Sequence, residues 1–174
     1  MENNKGFSLI ELLIVIVVIG ILAALAIPNL LASRRSANEG SAVSDLRTFH
    51  GAQMTYATSY GLGNFAGDAG GATNTSAFAQ LGAAKIIDSL LATGSKSGYN
   101  FSAAKIDLNG TAPASFCGRA VPIVASGFNA TGPRNIAIAT DGVLYAGLAD
   151  SNTNANCEQV NVSLVVTNAS VLSN

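Results

Sequence analysis

The stretch Gly6-Phe7-Ser8-Leu9-Ile10-Glu11-Leu12-Leu13-Ile14-Val15-Ile16-Val17-Val18-Ile19-Gly20-Ile21-Leu22-Ala23-Ala24-Leu25-Ala26-Ile27-Pro28 carries a single charge, on Glu11. From Phe7 to Ile27 it is 21 residues long. At about 1.5 Å rise per residue a helix of that length spans roughly 32 Å, which matches the hydrocarbon core of a bilayer. The stretch is a membrane-helix candidate. Glu11 is its oddity, because a carboxylate within an apolar helix costs on the order of 2.5–3.5 kcal/mol on insertion scales. An acid in that position is a functional hypothesis by default and needs a partner cation.

Outward from this segment, a chain of 174 residues leaves about 150 for everything else, enough for one modest core. One exported domain on one anchor is expected. The formal net charge is -1. Beyond Tyr60, Lys85, Lys96, Lys105, Arg119 and Arg134 stand against Asp68, Asp88, Asp107, Asp141, Asp150 and Glu158, so no basic face emerges that would grip nucleic acid. Cys117 and Cys157 both lie far downstream of the apolar segment, where an oxidising compartment would join them in a disulfide.

The residues before the apolar run, Met1 to Gly6, are short, polar and end in glycine, as a leader peptide does. An ordinary secretory signal is the competing reading, with Lys5 as its basic region and Ala24-Leu25-Ala26 as its cleavage site. Glu11 counts against it, since such a signal gains nothing from an acid at the edge of its apolar core.

Gly6-Phe7-Ser8-Leu9-Ile10-Glu11 followed by a long apolar helix resembles the class III signal of type IV pilins and type II secretion pseudopilins. In that family a membrane-embedded prepilin peptidase cuts after the glycine and methylates the new amino terminus. The resemblance implies leader cleavage between Gly6 and Phe7 and N-methylation of Phe7. It further implies assembly roles for Glu11, fifth in the mature chain, for Gly20, and for Pro28, which is 22nd. Cleavage would create an ammonium on Phe7, the cation Glu11 lacks. In filaments of the family the glutamate pairs with the amine of a neighbouring subunit, neutralising both charges and favouring the assembled state. Gly20 and Pro28 bracket Ile21–Ile27, and both are poor helix formers. Two readings stand: a segment that loses helix within a packed fibre, as family filaments do, or a proline kink at the membrane boundary.

Past Pro28 the sequence turns polar, and Arg34 and Arg35 mark emergence from the bilayer. Ala42, Leu46, Phe49, Gln53, Tyr56 and Tyr60 then recur at alternating spacings of four and three, one face of a helix running to about Tyr60 with Gln53 as its weak member. The expected organisation is a leader at 1–6, a transmembrane and filament-core helix at 7–28, its amphipathic continuation at 29–60 and an exported globular head at 61–174. Gly61 to Thr75, rich in glycine, reads as an exposed loop. Ser76 or Thr75 is expected to cap a short helix through Gly82, with another turn over Ile86 to Leu91.

Alternation predicts strands over Gly98 to Leu108, Phe116 to Val124, Asn135 to Thr140, Val143 to Gly147 and Val160 to Val166. Tight turns are expected at Asn109-Gly110 and Asp141-Gly142, and Pro122 hints at an edge strand or a bulge. With these strands, the resemblance implies an α+β fold of the type IV pilin kind: a long N-terminal hydrophobic helix packed on a small antiparallel sheet, with a single C-terminal disulfide.

Catalysis finds little support. His50 is the only histidine, it lies one position off the helical stripe, and no triad or metal-hydrolase site can be assembled around it. No cofactor and no metal site is expected. Asp150-Ser151-Asn152-Thr153-Asn154 starts like a calcium loop, but Ala155 stands where the loop needs glycine and Asn161 where it needs glutamate. The sequence reads as a prepilin-like structural subunit that self-associates into a helical filament. By resemblance its partners are the prepilin peptidase, an assembly platform protein and a cytoplasmic ATPase. A pilus subunit is favoured over a type II secretion pseudopilin because of the cysteine pair and the failed calcium loop. A membrane-tethered or secreted binding protein is the rival from another class.

Overall fold

The computed structural model describes residues 6–70, 73–110, 112–148, 156–160, 163–167 and 170–172. The helix α1 spans Leu9–Ser59. The chain forms two compact units, Met1–Arg34 and Arg35–Asn174.

In the first unit every described residue from Leu9 onward is helical. Gly20 and Pro28 lie inside a helix that runs through both positions, so the segment between them is helical in the single subunit. Pro28 has no N–H to give to the turn before it. Around that gap side chains supply extra bonds: Asn29 Nδ2 donates to Leu25 O at 3.1 Å and Ser33 Oγ to Asn29 O at 3.0 Å.

The second unit is built on the later part of α1, where the predicted stripe buries Ala42, Leu46, Phe49 and Gln53, leaves Tyr56 half-buried and Tyr60 exposed, and is joined by Asp45 and Ala52. Two short helices follow, α2 at Ser76–Ala83 and α3 at Ser89–Ala92. The strands are β1 Ser95–Lys96, β2 Tyr99–Ile106, β3 Ser115–Pro122, β4 Arg134–Ala139, β5 Leu144–Leu148, β6 Asn156–Val160, β7 Ser163–Thr167 and β8 Ser170–Val171. Six of them make one antiparallel sheet in the order β1-β2-β3-β4-β5-β8, and β6 pairs only with β7. A long apolar N-terminal helix with an antiparallel six-stranded sheet is the α+β type IV pilin arrangement.

Aromatic side chains join this part of α1 to the sheet. Phe49 stacks on Phe78 with ring centroids 4.5 Å apart and meets Phe116 edge-on at 5.8 Å. Phe65 abuts the same Phe116 at 4.6 Å. Phe49 leaves no room opposite it: a Cβ on Gly118 would come within 2.8 Å of its Cδ1. Because side chains alternate along β3, Phe116 and Gly118 face α1 while Cys117 faces away, fully buried beside Ala104.

The structure departs from the sequence reading at several points. Gln53 is not a flaw in the stripe. It is fully buried, with Nε2 donating to Ala66 O at 3.0 Å and Oε1 accepting from Ala66 N at 2.8 Å. The loop after α1 is correspondingly not an exposed tether, since Phe65 and Ala66 are core residues. Thr75 occupies the position before α2 but makes no capping bond, and Asn74 Oδ1 accepts from Ser76 N at 2.9 Å instead. The Asn109-Gly110 signal is displaced by one residue: the bridge closes between Asn109 and Ala112. Pro122 marks no edge, for β3 lies between β2 and β4. It falls at the strand's end, past Ala120, the last residue that β4 pairs. The apolar run Val160 to Val166 is the meeting point of two strands, not one, with Cys157 opposite Val166. At Asp141-Gly142 the turn forms as expected, with Gly142 at a φ of 75°.

Candidate functional site

The N-terminal unit sets its side chains outward. An 18-residue window of α1 has a mean hydropathy of 3.1 and none of it is buried within the chain. Phe7 is 92% exposed and Leu9 81%, and the exposed large apolar residues from Ile10 to Leu30 range from 47% to 70%. At roughly 25 cal/mol per Å² of apolar surface, so many bare side chains cannot remain in water. By length and composition this helix can cross a membrane.

Gly6 and Phe7 lie ahead of the first helical residue, Leu9, on backbone outside any regular element. Glu11 falls in the first turn, where the unpaired amides and the helix dipole favour an acid. Its Oε2 accepts from the Ser8 amide at 2.9 Å. The carboxylate thus has a partner inside its own chain, contrary to the expectation that it stands alone until an ammonium is made. Ser8-Leu9-Ile10-Glu11 is one half of a capping box, in which the acid at the third helical position closes back on the N-cap amide. The S-x-x-E spacing before an apolar run was the signal for it, overlooked because Glu11 was weighed only as a charge in lipid.

Gly20 is the second expected assembly residue, and an added Cβ there would meet nothing within 4 Å. Its smallness serves no packing in the single chain. Pro28 sits about two turns further on, with the side-chain bonds described above. These residues occupy one helix and do not converge on a pocket.

Comparison with known proteins bears on this same segment. Residues 1–27 match the family model described as the prokaryotic N-terminal methylation motif. This is a prepilin-type N-terminus. The chain is 69% identical over 39 residues to the type IV wide pilus major component PilA4 of Thermus thermophilus, covering 22% of this chain and 30% of that protein. It is 41% identical over 56 residues to the type II secretion system core protein G of Klebsiella pneumoniae, 32% of this chain and 40% of that one. It is 43% identical over 54 residues to the type IV major pilin protein PilA of Myxococcus xanthus, 31% of this chain and 24% of that one. The matched part spans less than half the length of each relative. No solved structure matches the chain.

Elsewhere, two contacts that the sequence reading missed tie loops to α1. Lys96 Nζ reaches Asp45 Oδ1 at 2.8 Å and Asp88 Oδ2 at 3.2 Å. The Asp45 hydrogen bond raises the Lys96 pKa above its ordinary value. The Leu91 amide, capped by the carboxylate before α3, lowers that of Asp88. Arg35 is the other, donating to three carbonyls of the loop between β3 and β4: Ala130 O at 3.2 Å, Gly127 O at 2.8 Å and Phe128 O at 3.0 Å. No local pattern announces pairings between residues 51 or 95 positions apart. His50 Nε2 lies 3.3 Å from Thr140 O beside the turn at Gly142, a contact between α1 and the sheet. The calcium-like start at Asp150–Asn154 and the Cys157 side chain lie outside the described residues.

Proposed function

We propose that this chain is the precursor of a type IV pilus-like filament subunit, anchored in the cytoplasmic membrane, processed between Gly6 and Phe7, and polymerised through its N-terminal helix. The observation that carries the reading is the conjunction of the methylation motif with an apolar helix none of whose membrane-length window is buried in its own chain. Lipid covers those side chains before assembly and copies of the same helix cover them after it. Assembly, not catalysis, is then the activity.

In this reading Phe7 acquires the new amine and is methylated, and Glu11 exchanges its Ser8 amide for the ammonium of a neighbour. Gly20, bare of contacts, lets a neighbouring helix approach. Pro28 marks where the helix has one backbone bond fewer. The prepilin peptidase, a platform protein in the membrane and a cytoplasmic assembly ATPase are the partners. Cys117 and Cys157 form the head's disulfide.

Mass spectrometry of the mature protein tests the processing step. The expected N-terminus is Phe7 carrying a methyl group, and an intact Met1 or an N-terminus after Ala26 refutes it. Electron microscopy of material sheared from cells tests the filament.

A pseudopilin of the type II secretion system is the second reading, favoured by the match to core protein G over 56 residues. Filaments confined to the periplasm, and a head destabilised by calcium removal, would establish it over the surface pilus.

A further inference from the structure

The loop between β3 and β4 is uncharged and carries exposed apolar side chains. From Ala120 to Pro133 it holds no charged residue, while Arg119 and Arg134 flank it. It is a closed, ordered loop: Thr131 N donates to Val124 O at 2.9 Å and Val124 N to Thr131 Oγ1 at 3.1 Å. Gly127, at a φ of 89°, turns the chain between them. Residues 123–129 are all exposed. Ile123 is 52% exposed, Val124 38% and Phe128 67%. Among the described residues, the second unit's other exposed large apolar side chains are Met54, Tyr60, Leu62, Leu90, Leu108 and Val171, none of them adjacent in sequence to another. Isolated exposed apolar residues need no explanation, whereas a rigid cluster of three does.

What holds the cluster outward is α1. Arg35 binds the carbonyls of Gly127, Phe128 and Ala130, and Asn38 Nδ2 donates to Thr131 O at 2.9 Å. Arg35 follows Leu31, the last large residue of the apolar run, by four positions. Four residues span at most about 14 Å even when fully extended, and the headgroup layer of a bilayer is roughly 5–8 Å deep. With its apolar segment in the bilayer, the chain therefore cannot carry this loop far from the membrane surface. Arg35 adds positive charge beside it. The nearest acid in sequence, Glu39, is already paired with Arg134.

We propose that in the unassembled precursor the Ile123–Phe128 loop rests in the headgroup layer of the bilayer that holds its own helix. Ile123, Val124 and Phe128 enter the acyl boundary, and Arg34, at the end of the apolar run, meets anionic headgroups. The loop is a second, reversible membrane contact of the unassembled precursor. The inference rests on the membrane reading of the N-terminal helix.

The protein contains no tryptophan, so single-tryptophan variants of the full chain report cleanly. Phe128→Trp, Tyr60→Trp and Ile16→Trp are each reconstituted in equimolar phosphatidylcholine–phosphatidylglycerol vesicles carrying brominated lipid. Tyr60 is exposed and 25 residues beyond Arg35, about 37 Å along a helix. The expected result is deep-label quenching of the Ile16→Trp variant and at least about twofold shallow-label quenching of the Phe128→Trp variant, with the Tyr60→Trp variant unquenched. If the Ile16→Trp variant is quenched but Phe128→Trp behaves like Tyr60→Trp, the loop proposal is overturned and the anchor stands. Blue-shifted Phe128→Trp emission without lipid quenching assigns the loop to a second copy of the chain and also overturns it. An unquenched Ile16→Trp variant removes the anchor reading and this one together.

Discussion

Gln53 and Ala66 exchange two buried hydrogen bonds, side-chain amide to backbone amide, 13 residues apart in sequence. The pair acts as a clasp that sets the loop after α1 against the helix it has just left. Replacing Gln53 by methionine preserves volume but leaves the Ala66 N–H and C=O buried without partners. The expected loss is about 2–4 kcal/mol. Thermal unfolding of the full chain in detergent micelles measures it, and an unchanged midpoint would show that water replaces the clasp.

Alkali should expose a second buried group. Burial, aided by the charge of Glu39, pushes the Tyr99 hydroxyl up to about 12 from 10.0. It donates to Arg134 O at 3.2 Å. A group whose folded pKa is raised keeps its full contribution below the unfolded value and loses it as pH climbs through the folded one. Tyr99 therefore costs stability progressively above pH 10, to an extent of about 3 kcal/mol. Lys96, also raised, adds a loss in the same direction, so the comparison with Tyr99→Phe isolates the tyrosine. Denaturant midpoints for that variant should be flatter than wild type between pH 9.5 and 12.

Charge and capping can be separated at Glu11. Glutamine in its place keeps an oxygen for the Ser8 amide, whereas alanine keeps neither charge nor cap. On the filament reading both variants insert normally and both assemble poorly. The alanine variant alone should also fray the first turn, a loss of about 1 kcal/mol visible as faster amide exchange near Ser8. Wild-type filament yield from the glutamine variant would show that the charge is dispensable.

The proposed disulfide is checked by intact mass after alkylation with and without reductant. Its two cysteines close a loop of about 40 residues, for which the chain-entropy model gives about 4 kcal/mol. Cys117→Ser should therefore lower the melting midpoint of the oxidised protein and leave the reduced protein nearly unchanged. Two free thiols in protein purified from the cell envelope would refute the bridge.

The long helix, the antiparallel sheet and the buried stripe were legible because each is written locally: 21 uncharged-but-one residues, period-two strands, period-3.6 spacing. Polar residues were harder. Gln53 looked like a blemish, since nothing local marks Ala66 as its partner. Pro122 suggested an edge because strand order is not a local property. Val160 to Val166 read as one strand because an apolar run does not show where one strand ends and the next begins. Arg35 was taken for a boundary marker, although its guanidinium is occupied by carbonyls 92 to 95 residues away. At the N-terminus the residue types were legible and one contact, Glu11 with Ser8, was not.

The unburied apolar helix of the first unit has an energetic corollary. Lipid tails are about as apolar as leucine, so trading a lipid coat for a coat of sibling helices changes the hydrophobic free energy little in either direction. Growth of a filament from such subunits is close to an exchange between equivalent solvents. Its direction must then be set by the small polar terms at the N-terminus and by work supplied from outside the chain, and not by the greasiness that dominates the segment's sequence.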